Sequence, residues 1–456
     1  MSDPRARDGE VAVIGLGRSG RAAAMLLAKQ GIPVYASDGS TRTEVTQGAL
    51  ALRERGIDAQ AGGHNLERIA AALRVVVSPG VPPDAPPLVA ARSAGVRIIS
   101  ETELALQALP DARIIAITGT NGKTTTTALT AHLLSAIGCD AAAAGNIGTP
   151  LSAFAQRTRP PAWYALEVSS FQLHDTPSLA PLVGVLTTLT PDHLDRYPSV
   201  DAYYADKALL FANANAQSHW VWNGDSDAVR RVASRAAGTH ATFSLERSDA
   251  EAWFDRARGR LMVLGEPLVA RDELHLLGDH NVANALAAAL AVVVADQLHR
   301  SAMARSRIAA GVASFRPLSH RLEGVGEFGG ALWINDSKAT NVDSTRVAIA
   351  AMTRPTVLLL GGRHKGEPYS GLAAEIRAHV KCVLAYGEAG PLVERDLSGI
   401  VPVERLGSSF ESVVARARAI AEPGDAVLLS PACASYDMFD NYEVRGAEFR
   451  RLAASR

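Results

Sequence analysis

Short apolar runs separated by stretches of helical periodicity recur along the whole chain, and their order predicts the fold. Apolar runs at 11–14, 33–36, 75–78 and 97–99 have the length of buried strands. Between the first two, from 19 to 30, the apolar positions return at helical spacing. Strand, helix, strand in that order predicts βαβ units on a parallel sheet. The Pro-rich stretch 82–87 reads as a loop. A second series starts near Asp111, with a strand at 114–118, a glycine-containing turn, a helix at 123–137, and strands at 163–168 and 183–189. It runs to about Arg316. A third begins after Pro317, with strands at 331–334, 356–360, 382–386 and 426–429. The expectation is three α/β domains, at 1–110, 111–316 and 317–456.

Length agrees, since 456 residues at roughly 150 per domain is about three domains. The net charge of −1 gives no general electrostatic reason to bind nucleic acid or an anionic membrane. The longest apolar stretch, 285–295, falls short of the ~20 residues of a membrane span and reads as a buried helix. The charged N-terminus cannot be a signal-peptide core. A soluble, cytoplasmic, monomeric protein is expected. Cys139, Cys382 and Cys433 have no metal-type spacing, and no base adjoins Cys433, which reads as a packing residue.

Only six of the 46 basic side chains are lysine: Lys29, Lys123, Lys207, Lys338, Lys365 and Lys381. Codon bias explains an arginine-rich chain. A lysine retained in one can mark a site where a guanidinium cannot substitute, because only an amine can be neutralised and react. Four of the six lie in the motifs below.

The stretch G-L-G-R-S-G at 15–20 follows a predicted strand and opens a helix, with Asp38 at the end of the next strand. Such glycines let a pyrophosphate approach a helix N-terminus, and the acid suits a ribose. NAD, or any ligand with a diphosphate and a ribose, satisfies this physics, and glycines used only for packing give the same pattern. T-G-T-N-G-K-T-T at 118–125 carries a phosphate-loop core. The backbone of Gly119, Thr120, Asn121 and Gly122 would cradle phosphates, Lys123 would reach the outer ones, and Thr124 would bind Mg²⁺, with Thr125 following. Glu167, Asp192 and His193 sit at strand ends, where hard oxygen and imidazole ligands could face that loop. Lys207, taken alone, reads as a solvated helix lysine. Polar clusters at 335–341, 361–366 and 430–435 suit an anionic small molecule, or ordinary helix capping.

Together these motifs, with S-P-G-V at 78–81, G-N-I-G at 145–148, E-V-S-S-F-Q-L at 167–173, D-H-L-D at 192–195, Y-Y-A-D-K at 203–207, H-N-V-A-N at 280–284 and S-H-R at 319–321, resemble the Mur ligases over nearly the whole chain. The resemblance implies an N-terminal Rossmann-like domain for a UDP moiety and a central phosphate-loop ATPase domain. It also implies a C-terminal Rossmann-like domain that binds an amino acid and closes on ATP. The activity it implies is ATP-dependent addition of glutamate to UDP-N-acetylmuramoyl-L-alanine through an acyl phosphate, in cell-wall precursor synthesis, with D-glutamate favoured by the resemblance alone and the same chemistry with L-glutamate as the alternative. Gly15, Arg18, Ser19, Asp38 and Ser78 would then hold the UDP end, and Asn146, Ser169 and Gln172 the sugar–diphosphate. Lys123 and Thr124 would serve ATP and a first Mg²⁺ with Glu167. His193 and Lys207 would serve a second Mg²⁺, with Lys207 carbamylated by CO₂. Asn281 and Asn284 match adenine-side positions, and Arg321 and Asp336 phosphate and ribose positions. Lys338, Thr340, Lys365, Ser435 and Tyr442 match positions near the glutamate pocket.

Two stretches depart from the family. Arg363–His364 stand where relatives commonly carry an acid before the lysine, and Tyr436 and Tyr442 stand where they more often show apolar or Phe side chains. A folylpolyglutamate-type ligase would share the central chemistry, but gives no reason for the N-terminal diphosphate-type loop. A nicotinamide-dependent oxidoreductase would leave the phosphate loop unused, and a lone phosphate-loop ATPase would leave two domains without work.

Overall fold

The first strand, β1 (Val11–Ile14), is buried along its whole length, which is why its sequence is a continuous apolar run rather than an alternation. In a computed structural model, which describes residues 9–193 and 196–455, β1 is the middle of a five-stranded parallel sheet. Its neighbours are β2 (Val34–Asp38), β3 (Asp58–Ala61), β4 (Arg74–Val77) and β5 (Ile98–Ser100), in the order β3-β2-β1-β4-β5. The order reverses at β1, so a crevice opens beyond its C-terminal end, where the helix α1 (Arg18–Lys29) begins. The Pro-rich stretch is not all loop. Pro86 and Pro87 open the helix α2 (Pro86–Ser93), whose first turn suits proline's fixed φ and missing N–H.

The second sheet has nine strands: β6 (Arg113–Thr118), β7 (Ala141–Gly145), β8 (Trp163–Glu167), β9 (Val183–Leu186), β10 (His219–Asn223), β11 (Thr239–Ser244), β12 (Ala252–Asp255), β13 (Arg260–Val263) and β14 (Glu266–Ala270). Their order is β14-β13-β12-β11-β10-β9-β6-β8-β7. From β7 across to β12 the pairings are parallel, and β13 returns antiparallel to β12. The helix α3 (Lys123–Ala136) follows β6, the short α4 (Ser170–His174) follows β8, and α5 (Val200–Ala208) follows β9. The apolar stretch 285–295 lies in the helix α6 (Asp279–Ala295), and its Ala, Leu and Val side chains are buried, apart from the half-buried Val294. Among the described residues no helix is long and apolar enough to cross a membrane.

The third sheet orders β15 (Glu323–Phe328), β16 (Ala331–Asn335), β17 (Thr356–Gly361), β18 (Val380–Tyr386), β19 (Val403–Arg405) and β20 (Ala426–Leu429) as β15-β16-β20-β17-β18-β19. Only β15 is antiparallel to its neighbour. The helix α7 (Val342–Ala350) follows β16, and α8 (Tyr442–Ala454) ends the chain. By contacts the chain forms two compact units. One holds residues 9–189, 199–269 and 284–312, so it contains the first two sheets. The other holds 190–193, 196–198, 270–283 and 313–455.

Candidate active site

In the first unit, the crevice beyond β1 is a cavity of about 530 Å³, within the size range of small-molecule sites. Gly15 takes a left-handed φ of +92° there, and Ser78 Oγ donates to its carbonyl at 3.2 Å. A Cβ on Gly20 would fall 1.8 Å from that same carbonyl, so the third glycine of the loop is required for close helix–strand packing. Arg18 and Ser19, in the first turn of α1, line the cavity with Asp38, Ser78 and Asn146. Asp38 already accepts the backbone N–H groups of Leu16 and Ser40, each at 2.8 Å. It shapes the loop, and as a carboxylate lining the cavity each of its oxygens can accept a further hydrogen bond.

Between β6 and α3 the phosphate loop is held from behind. Gly119 has φ +146° and Gly122 φ +85°. A Cβ on Gly119 would lie 2.0 Å from Thr187 Oγ1, and one on Gly122 2.4 Å from Asn284 Oδ1. Thr120 N–H donates to the Thr188 carbonyl (2.8 Å), and Asn121 N–H to Thr188 Oγ1 (2.9 Å). Lys123 Nζ folds back on the carbonyls of Gly119 (2.9 Å) and Thr120 (2.7 Å). Thr124 and Thr125 follow it in the first turn of α3.

Lys207 is not on the surface. It is 1% exposed, its Nζ donates to the Gly119 carbonyl at 2.8 Å, and it lies 4.7 Å from the centre of the Tyr203 ring. Two ammonium groups thus converge on one loop carbonyl. Reading Lys207 in isolation as a solvated helix lysine is corrected here: α5 turns it inward against the phosphate loop.

Glu167, at the end of β8, is 2% exposed. Its Oε1 accepts from Asn146 Nδ2 at 3.0 Å, while Oε2 is buried with no hydrogen-bond partner. An orphaned buried carboxylate oxygen is costly and points to an absent cation. Among the described residues there is no cluster of three or more His, Cys, Asp or Glu able to hold a metal. A lone carboxylate with a helix-start threonine fits Mg²⁺, which draws much of its octahedral shell from water and phosphate. Ser169 caps α4 in a reciprocal box with Gln172: Gln172 N–H donates to Ser169 Oγ (3.2 Å), and Ser169 N–H to Gln172 Oε1 (3.0 Å). With its Nε2 on Thr102 as well, Gln172 is committed to shaping the loop.

The remaining residues lie in the second unit, Asn284 excepted. His193 has φ +56°, and its N–H is held by Asp192 Oδ1 at 2.8 Å. Asn341 Nδ2 donates to Asp192 Oδ2 at 2.8 Å. Burial opposes ionisation of Asp192, but the charges of His193 and Lys365 with these hydrogen bonds hold its carboxyl below the usual range. Asp195 falls outside the described residues. Asn281 Nδ2 donates to the Leu277 carbonyl (2.8 Å), while Asn284 accepts from Thr126 beside the phosphate loop (3.2 Å). Asp336 is buried and accepts from Leu322 N–H (3.1 Å) and Ser430 Oγ (2.9 Å). Its burial pushes the carboxyl up to about 7. Arg321 lies close enough to oppose that rise. Lys338 Nζ sits 3.7 Å from the centre of the Tyr442 ring, a cation–π contact. Thr340 and Lys365 are half-buried and Ser435 buried, each in one of the clusters at the ends of β16, β17 and β20.

Residues 9–100 match the Mur ligase MurD-like N-terminal domain, 117–292 the Mur ligase middle domain, and 320–433 the Mur ligase glutamate ligase domain. The chain belongs to the Mur ligase family. This Mur ligase is 40% identical to the UDP-N-acetylmuramoylalanine–D-glutamate ligase of Acidobacterium capsulatum, over 97% of this chain and 95% of the relative. It is 41% identical to the ligase of that name from Myxococcus xanthus, over 97% of each. Among solved structures it resembles the UDP-N-acetylmuramate-alanine ligase of Thermotoga maritima, with TM-score 0.63 at 19% identity over 97% of this chain and 98% of the other.

The sequence reading of this Mur ligase missed one residue of the C-terminal site. Arg445 is 1% exposed; its Nε donates to Ser337 Oγ (2.9 Å), one Nη to the Ser337 carbonyl (2.8 Å), and both reach the Cys433 carbonyl (3.2 Å). It ties the cluster after β16 to the one after β20. Its signal was its place on the buried face of α8, with Gly446, Phe449 and Leu452. Of the departures, Arg363 pairs with Glu388 on the surface (3.0 Å), and Tyr436 is 60% exposed. His364 Nδ1 meets Tyr369 OH at 3.0 Å, which in turn meets Cys433 Sγ at 2.9 Å. Burial pushes that thiol up to about 11, so Cys433 is a packing group and not a nucleophile.

Proposed function

We infer that this Mur ligase joins D-glutamate to UDP-N-acetylmuramoyl-L-alanine at the expense of ATP, releasing ADP and phosphate. The observation that carries the reading is Asn146. It lines the N-terminal cavity, and its side chain also holds Glu167, whose other oxygen waits for a cation beside the phosphate loop. A nucleotide–sugar site and a phosphate-transfer site therefore adjoin through one side chain. The near full-length identity to D-glutamate ligases supports the choice of amino acid.

A free carboxylate is a poor electrophile. Its oxygen attacks the γ-phosphorus of ATP, ADP leaves, and the resulting acyl phosphate accepts the glutamate amine with loss of phosphate. Lys123, released from the loop carbonyls, pairs with the outer phosphates, and the loop N–H groups hold the chain of phosphates in place. Thr124 and Glu167 would hold Mg²⁺, which when bound offsets the charge of the approaching anions. Lys207, after giving up a proton, adds CO₂ as the neutral amine through a new N–C bond and releases a second proton, leaving a carbamate, an anion with the oxygen ligands Mg²⁺ prefers. Its buried place beside Lys123 supports this, because carbamylation removes one of two cations crowded on the Gly119 carbonyl. Lys338, Thr340, Lys365, Ser435 and Tyr442 bind the glutamate carboxylates, with Arg445 holding their loops together. Asn281, Asn284, Arg321 and Asp336 retain the nucleotide roles the family resemblance gives them.

The test is ADP release with UDP-N-acetylmuramoyl-L-alanine against a panel of D- and L-amino acids. D-glutamate should drive release, and glutamine and alanine should not. Release with every amino acid, or without the UDP substrate, would contradict the reading.

A further inference from the structure

The N-terminal cavity holds a side chain with no assigned role. His64 lines it, in the loop after β3, and the loop is fixed on both sides of the ring. Gly63 N–H donates to the Asp38 carbonyl (3.1 Å), and Asn65 N–H to Tyr35 OH (2.9 Å). The ring is fixed too. Its Nδ1 lies 2.9 Å from Oγ of the fully buried Ser37, and a Cβ built on Gly39 would sit 3.4 Å from Nε2. Burial lowers the imidazole's affinity for a second proton, partly offset by Asp38, so the ring is neutral. Either group can donate in the Ser37–Nδ1 contact; in the tautomer in which the Ser37 hydroxyl donates to Nδ1, Nε2 carries the proton and is a donor.

The cavity has two ends. At one, the first turn of α1 brings backbone N–H groups and Arg18, the requirements of a diphosphate. At the other lie Asp38, Gly39 and His64, so the nucleoside belongs there. We propose that His64 is a specificity-determining residue for that nucleoside, its Nε2–H donating to the 4-carbonyl oxygen of a uracil. The inference rests on the UDP-substrate reading above. Cytosine carries an amine at that position, which would face the donor with another donor. In that tautomer the Ser37 contact holds the ring and Gly39 leaves room for its edge, so the donor is in place before the ligand arrives.

The experiment is calorimetric titration of the full chain with UDP and with CDP, for wild type, His64→Ala, His64→Phe and His64→Gln. Phe keeps a ring against Gly39 without the donor, and Gln keeps a donor without the ring. Wild type should prefer UDP. His64→Ala and His64→Phe should bind UDP roughly three- to tenfold more weakly, as for one neutral hydrogen bond, and lose the preference over CDP. His64→Gln should recover part of it. ADP affinity should not change. Unchanged UDP affinity, or equal losses for UDP and CDP, would make His64 a packing residue and overturn the inference alone. A wild type that takes up no UDP would remove the substrate assignment and this inference together.

Discussion

Lys207→Arg keeps the charge and removes the capacity to react with CO₂, because a guanidinium stays protonated. The side chain is 1% exposed, with its head 2.8 Å from the Gly119 carbonyl, so the wider guanidinium must be forced into a filled space. Overpacking of this kind costs about 1–3 kcal/mol, and for a domain of this size that lowers Tm by roughly 2–12 °C. The variant should fold. Its kcat should fall by about two to three orders of magnitude, the size of effect seen when one preorganised charge-stabilising group is lost. Lys207→Ala should be equally slow, and should regain part of its rate with acetate or formate, which can place a carboxylate in the space vacated. The assay is ADP release at saturating ATP and Mg²⁺, with melting curves as the control for folding. Wild-type rates from Lys207→Arg would refute the carbamate and leave Lys207 as a structural cation on the loop.

Lys123→Ala should abolish turnover while UDP-substrate affinity, read by calorimetry, stays nearly unchanged; equal loss of both in a folded variant would contradict the site assignments. Gly122→Ala forces a side chain into φ +85° and 2.4 Å from Asn284 Oδ1, at a cost of about 1–3 kcal/mol. It should raise KM for ATP much more than KM for the UDP substrate. Asp336 gives a pH signature. Its carboxyl titrates at about 7 in the folded chain and near 4 when unfolded, so between these values the unfolded state gives up a proton that the folded state keeps. Its effect on stability therefore worsens as pH rises through this window and then levels off. Asp336→Asn should gain melting temperature relative to wild type from pH 4 to pH 8, and a constant difference would refute the buried, proton-holding carboxyl.

The parts of the fold legible in the sequence were those where one residue type does one job. Continuous apolar runs gave β1, β4, β6, β8, β17 and β20 to within a residue or two, because strands buried on both faces have no polar side to confuse the pattern. β7 is alanine and glycine, with little β-propensity, and β15 alternates glycine with charged residues, so neither stood out. β11 and the edge strand β14 escaped because Thr, His, Glu and Pro interrupt their apolar residues, and β10, β12 and β13 because each is an apolar run of only two or three residues next to a polar or charged one. At the site, the phosphate loop was legible because its glycines are sterically obligatory. The environment of Lys207 was not, since the pattern of α5 does not say which face turns to the loop. Arg445 was missed because an arginine on an apolar helix face reads as an interruption rather than as a tie between two loops.

The most direct measurement uses UDP-N-acetylmuramoyl-L-alanine labelled with ¹⁸O in its free carboxylate. In the proposed chemistry one carboxylate oxygen becomes the bridge of the acyl phosphate and leaves with phosphorus when the amine of D-glutamate attacks. Mass spectrometry should find a single ¹⁸O in the phosphate released with D-glutamate and ATP, matched one for one by new amide product. Unlabelled phosphate alongside amide product, or labelled phosphate formed with L-glutamate in place of D-glutamate, would contradict the account.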